Sequence, residues 1–239
     1  HGVPAWYASA DDLLADPLVN AVYVATPPGS HREIAFKCLK ARVPTYMEKP
    51  MARNLRETLE IVEAFESARV PLFSAYYRRG QEKFVKAREI VRSGVLGDVS
   101  AVDYSMLRPP FRSKKPDRSL PWRFNAHHSG GGLIMDVGCH TIDIIDFIVG
   151  DLYDATGVAT NVAKAYEVED TVSLSCKFEN SSGTSGVVSM RWSFAASQNS
   201  HDDTIVIHGT KGTLRLSTFG IDDAMQLRLA KQKSDANST

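Results

Sequence analysis

Cysteine is scarce: Cys38, Cys139 and Cys176 are the only three in 239 residues, widely spaced and odd in number. That usage excludes a disulfide framework and a cysteine-rich zinc site. It reads as reduced, mostly buried thiols in a cytoplasmic protein. No apolar run is long enough to span a bilayer, so a transmembrane role is not expected. Charge of one sign is not in excess either. Lys+Arg and Asp+Glu are 28 each, which leaves no global field to attract nucleic acid or an anionic membrane. The segment His1 to Asp12 lacks the basic and apolar pattern of a signal peptide. No internal repeat is present, and only the polar tail Lys231 to Thr239 approaches low complexity. What remains is the profile of an ordinary soluble globular protein, 43% hydrophobic and 23% charged.

The first third alternates strand and helix signals. Ala21 to Ala25 is a short apolar run halted by Thr26-Pro27-Pro28-Gly29. Ser30 with Glu33 has capping-box spacing and predicts a helix to about Ala41. Val43 to Met47 reads as the next strand. Asn54 with Glu57 opens a second helix, with Leu55, Leu59, Val62 and Phe65 about one turn apart, and Val70 to Ala75 is a third strand. The order β-α-β-α-β implies a parallel sheet with right-handed crossovers. Ligands of such sheets sit outside the carboxyl ends of the strands, which here carry Thr26-Pro27-Pro28, Glu48-Lys49-Pro50 and Tyr76-Tyr77-Arg78. Further on come a helix over Gln81 to Ser93, a strand over Val99 to Leu107 and a long loop over Arg108 to Asn125. A helix is predicted from Leu133 to Val149. Strands over 155–163, 171–178, 185–194, 204–208 and 213–217, joined by short turns, predict an antiparallel sheet.

Three constellations can carry chemistry. On a regular helix Asp136, His140 and Asp143 share one face, with Ile134, Val137, Ile145 and Ile148 toward the core. A carboxylate beside an imidazole suits a general acid/base; the plain reading is a solvated polar face. Lys49, just past a parallel strand, can stabilise an alkoxide, against the reading of an exposed loop lysine. The turn from Thr26 to His31 combines a strand exit with a helix N-terminus, which favours negatively charged groups. In the loop, Arg123 can grip hydroxyls or a carboxylate and Trp122 can cover a site. His127 and His128 are assigned nothing.

Taken in order, ATPPGSH, YMEKP, YYRRGQEKFVKAREIVRSGVLGDV, PWRFN, GGGLIMDVGCHTIDIIDFIVG and HGTKGTLRL resemble the Gfo/Idh/MocA oxidoreductases, up to about Leu216. The resemblance implies an α/β protein: a partial Rossmann-type parallel sheet, then a domain with a large, mainly antiparallel open sheet. Residues 1–77 become the C-terminal part of a dinucleotide-binding domain and 78–239 a domain for substrate binding and oligomerisation. It implies NAD or NADP as cofactor and a small polyol or sugar-like substrate. Lys49, Asp136 and His140 match the catalytic positions, with Asp136 orienting His140. Thr26, Pro27, Pro28, His31, Glu48 and Lys49 are expected along the cofactor, and Arg123, Trp122 and Tyr76 at the substrate. No metal is implied.

This sequence lacks the Gly-x-Gly-x-x-Gly loop and the second strand with which that family opens. It enters at the equivalent of the helix before the third strand, around Ala8 to Ala15. The expectation is a fragment of a longer enzyme, or a relative kept for binding or dimerisation, with weak NAD(P) affinity in these 239 residues. A hydrolase using Asp136, His140 and Asp143 as metal ligands is the remaining alternative. A cis Lys49-Pro50 bond is predicted where the chain turns from its strand. Homodimers or homotetramers are predicted through the open face of the second sheet.

Overall fold

The computed structural model describes residues 2–112, 119–220 and 224–230. The tail Lys231 to Thr239 and the middle of the predicted loop, 113–118, lie outside them. The chain divides into two compact units. One comprises His1–Tyr76, Ser113–Cys139 and Tyr166–Val168; the other Tyr77–Arg112, His140–Ala165 and Glu169–Thr239. The expectation drew everything from 78 onward as one domain. Among the described residues, 119–139 and 166–168 cluster with the first unit: Arg53 Nη1 donates to the His127 carbonyl, and Phe124 packs tilted against Tyr166 at 4.4 Å.

In the first unit, α1 (Ala10–Ala15) precedes β1 (Val22–Val24), α2 (Pro28–Lys40), β2 (Thr45–Met47), α3 (Leu55–Ala68) and β3 (Leu72–Ser74). The strands pair in the order β1-β2-β3, all parallel. Val24, Met47, Ala35, Cys38, Ile61 and Phe65 form the core between sheet and helices. Each large apolar side chain among them contributes about 1.5–3 kcal/mol by leaving water. On the other face Tyr23, Tyr46 and Phe73 stand side by side in register and exposed. Parallel sheets are ordinarily covered on both faces; this row is bare.

Two helix details differ from the pattern in the sequence. α2 starts at Pro28, whose ring presets the first helical φ, and the Ser30 hydroxyl donates to Thr26 Oγ1 and the Pro27 carbonyl instead of capping. α3 is capped by Asn54 as expected, its Oδ1 accepting from the Glu57 amide at 3.0 Å. Its buried stripe is Glu57, Ile61 and Phe65, while Leu55 and Leu59 face solvent. The Glu57 carboxylate, clamped by the Arg53 guanidinium and amide, turns that side inward.

The second unit holds α4 (Glu82–Arg92), α5 (Cys139–Val149), whose first residue closes the first unit, and a seven-stranded sheet. Its strands are β4 (Val99–Leu107), β5 (Tyr153–Thr160), β6 (Thr171–Glu179), β7 (Ser185–Ser193), β8 (Asp202–Gly209), β9 (Gly212–Leu216) and β10 (Gln226–Leu229), in the order β10-β9-β8-β4-β7-β6-β5. The sheet is mixed: β4 lies parallel to β7 and antiparallel to β8. Short turns predict neighbours along the chain, and β4 comes to the centre from far away. β5 stops at Thr160 because the buried Asp170 carboxylate captures the amides of Val162 and Ala163. β10 has no counterpart in the sequence reading. Alternation puts Val102, Tyr104, Met106, Val188, Met190, Trp192, Ile205 and Ile207 on the buried face.

The helix expected from Leu133 is not regular. Ile134–Gly138 winds as a π turn before α5 begins. Such turns hold more residues than an α turn and shift the phase of the helix beyond them. The expected polar face is absent in α5, where His140 and Asp143 are buried along with Ile144, Ile145 and Ile148.

Gly130 combines a positive φ of +87° with a close approach, since a Cβ there would lie 2.4 Å from the Arg53 carbonyl oxygen. Gly150 has φ +107° and open space around it. Gly130→Ala should cost at least about 3 kcal/mol, from backbone strain plus overpacking, and Gly150→Ala about 1–2 kcal/mol from strain alone. Urea denaturation of both variants checks the order.

Candidate active site

At the end of β2 the Glu48 amide donates to the Val24 carbonyl at 2.9 Å and the Ala75 amide to the Met47 carbonyl at 2.8 Å. These bonds hold the strand exit, in which the Lys49-Pro50 peptide is cis, as predicted. Lys49 Nζ donates to Asp136 Oδ1 at 2.8 Å and to the Asp136 carbonyl at 2.9 Å. Arg123 Nε donates to the other carboxylate oxygen, Oδ2, at 2.8 Å, and its guanidinium lies 4.4 Å over the Trp122 ring. Asp136 is therefore bridged by two cations on the π turn. Burial pushes its carboxyl up, but Lys49 and Arg123 outweigh burial and hold it below the ordinary value. The node carries two positive charges against one negative. An ammonium has three N–H donors, and these two bonds account for two of those on Lys49. Asp136, expected to orient His140, has both carboxylate oxygens engaged with Lys49 and Arg123, and Arg123 is tied back into the node.

Along the strand exits, Thr26 is exposed and Pro27 half-buried, whereas Pro28 and His31 are buried. His31 Nε2 lies 2.7 Å from the Thr26 carbonyl, and Nδ1 lies 3.2 and 3.1 Å from the carbonyls of Pro50 and Met51. His31 ties the first turn to the Lys49 turn and is fully buried. The N-terminus of α2 is not open either, because a Cβ on Gly29 would meet the His127 carbonyl at 2.9 Å. Glu48 accepts from the Tyr23 hydroxyl and, at 3.1 Å, from the Lys49 amide. That first bond pushes the Tyr23 phenol up to about 12. Tyr76 is half-buried at the end of the first unit.

In the second unit His140 is 4% exposed, with the rings of Tyr77 and Phe219 edge-on at 5.6 and 6.1 Å. Asp143, one turn on, receives Arg79 Nε at 2.8 Å and Nη2 at 2.7 Å on Oδ1, and Arg79 also reaches Asp146 at 3.2 Å. Burial raises the Asp143 pKa, and Arg79 offsets it only in part. A guanidinium on that oxygen opposes a metal cation. Among the described residues no three His, Cys, Asp or Glu side chains are placed to hold one. Both observations weigh against the hydrolase reading. Sequence reasoning missed Arg79, Tyr77 and Phe219. Nothing local signals partners so far along the chain.

Residues 84–215 match the GFO/IDH/MocA C-terminal domain, and residues 1–76 match the oxidoreductase family with an NAD-binding Rossmann fold. The chain belongs to the GFO/IDH/MocA oxidoreductase family. It is 30% identical over 220 residues to oxidoreductase P35 of Formosa agariphila, covering 92% of this chain and 66% of that protein. It is 27% identical over 219 residues to myo-inositol 2-dehydrogenase of Thermotoga maritima, covering 89% of this chain and 61% of that one. Among solved structures it is similar to a levoglucosan dehydrogenase in complex with NADH and levoglucosan, at 25% identity and a TM-score of 0.78, covering 96% of this chain and 62% of that one. The chain thus spans roughly three fifths to two thirds of the length of these relatives.

Removing Lys49 leaves a largely buried carboxylate with Arg123 alone. Lys49→Met should destabilise by about 2 kcal/mol, and adding Asp136→Leu should recover part of the loss. The Asp136 pKa is lower folded than unfolded. Its contribution to stability is complete above about pH 4, the unfolded value, and is lost as pH falls through the depressed folded value. Urea denaturation from pH 7 downward should show a flatter acid branch for Asp136→Asn than for the parent.

Proposed function

We propose that the protein is an NAD(P)-dependent oxidoreductase that moves a hydride between the nicotinamide and a secondary alcohol or carbonyl of a sugar, cyclitol or dihydrodiol-like substrate. The observation that carries this is the Lys49 node. A largely buried ammonium, held by Asp136 within a net positive cluster, keeps one N–H for an oxygen that gains negative charge. Donors aimed in advance at such an oxygen are the strongest single contribution a site of this kind makes.

The wall made by exposed Thr26 and half-buried Pro27 and Glu48 suits the edge of a dinucleotide, with Lys49 next to Glu48. When bound, the nicotinamide supplies or accepts the hydride. Everything else falls to side chains of this chain. Lys49 Nζ donates a hydrogen bond to the reacting oxygen. Asp136 holds the Lys49 ammonium in place, and Arg123 balances Asp136. His140 exchanges the hydroxyl proton. The activities for which relatives are named, an inositol dehydrogenase and a levoglucosan dehydrogenase, support a polyol or anhydrosugar as substrate class.

The test is nicotinamide absorbance on a panel of cyclitols, pyranoses and dihydrodiols. Turnover with at least one class is expected, and Lys49→Met and His140→Asn should each lower kcat by about 10²–10⁴-fold. Turnover retained in both variants would sink the assignment.

The same reading includes self-association through the open face of the seven-stranded sheet. Ser105, Ser173, Ser175 and Ser189 present small side chains there, beside Asp103 paired with His208 at 3.2 Å. A sheet with one covered face needs the other covered or polar. Sedimentation should give a dimer or tetramer, and Ser189→Lys should shift it toward monomer. A monomeric parent at all micromolar concentrations would refute this.

A further inference from the structure

Tyr77 is conspicuous in the second unit. It opens a short 3-10 turn, Tyr77–Gly80, and it is 53% exposed although its ring touches the buried His140. The Arg78 guanidinium packs on the ring and is itself held. The Arg78 guanidinium lies 5.4 Å over the Tyr77 ring and 4.3 Å over the Phe219 ring, and Arg78 Nη1 donates to the Thr218 carbonyl at 2.9 Å. Phe219 is fixed in turn, because Asp203 accepts from the amides of Thr218 and Phe219 at 3.2 and 2.5 Å. Both rings stand nearly perpendicular to the imidazole, at 77° and 75°. Arg78 therefore lies over one side of the Tyr77 ring, while the residue as a whole stays 53% exposed.

We propose that the face of Tyr77 not covered by Arg78 is a stacking platform for the substrate, and that it makes the enzyme prefer ring-shaped polyols to open-chain ones. The proposal rests on the reading of His140 as the proton-exchanging group. The face of an aromatic ring is electron-rich, and a pyranose or cyclitol ring presents several C–H bonds together on one side. Such a ring at van der Waals distance, about 3.5–4 Å, keeps its hydroxyls at its rim. With the Tyr77 and His140 ring centres 5.6 Å apart, the rim lies at the imidazole. An open-chain polyol has no such face and gives up more internal rotations when held. Tyr77 thus acts on binding and ring selection, and His140 on the proton.

The experiment compares the parent, Tyr77→Phe and Tyr77→Ala on one cyclitol or pyranose and one open-chain hexitol. Tyr77→Ala should raise KM for the cyclic substrate about tenfold with a much smaller change in kcat, so that the cyclic-to-linear preference falls by the same factor. Tyr77→Phe keeps the ring face and should keep the preference. An equal loss for both substrate classes, a loss confined to kcat, or a Phe variant that behaves like Ala would overturn the platform. If the parent oxidises no polyol, the functional reading fails and the platform is judged by binding. Saturation transfer from aromatic protons to the cyclitol, present in the parent and the Phe variant and lost in Ala, upholds it; equal transfer in all three, or none in the parent, overturns it.

Discussion

A single carboxylate organises the first unit's candidate site. Asp136 accepts Lys49 on one oxygen and Arg123 on the other, and its own carbonyl takes a second bond from Lys49. A lone carboxylate that far from water is expensive, and so is a lone ammonium. Together with a third charge of opposite sign to the carboxylate they form a node that is both charged and satisfied. Much around it serves to place its members. The β2 exit and its cross-strand amide bonds aim Lys49, the π turn sets Asp136, and the Trp122 ring supports Arg123.

The second unit uses the same chemistry differently. Asp143 is also a buried carboxylate held by a guanidinium, but its pKa moves up where that of Asp136 moves down. Asp136 has two cationic partners that outweigh its burial. Asp143 has one, Arg79, shared with Asp146, whose charge adds to the rise. The balance of partners against desolvation, and not residue type, separates the two.

The order of elements was legible from the chain because each has a local signal. Short apolar runs marked β1 to β3, the first halted by Thr26-Pro27-Pro28-Gly29, Asn54 with Glu57 marked the start of α3, and alternation marked β4 and β7. Local signals fell short where a distant partner decided the outcome. Of the apolar positions spaced along α3, Leu55 and Leu59 face solvent, while Glu57, Ile61 and Phe65 form the buried stripe. His31, expected along the cofactor, lies buried between three carbonyls. The helix N-terminus after Pro27 looked open and is packed under the turn that carries His127.

By itself the sequence determined the class of each element, the parallel run of the first strands and the candidacy of Lys49, Asp136 and His140, since these derive from periodicity, turn residues and ordered motifs over short stretches. Tertiary structure decided which charges meet. Lys49 and Asp136 are 87 residues apart in sequence, Arg79 and Asp143 are 64 apart, and Phe219 reaches His140 from far down the chain. A hydrogen bond or ring contact acts over a few ångströms of space whatever the separation in sequence, and only the folded backbone brings such groups within that range.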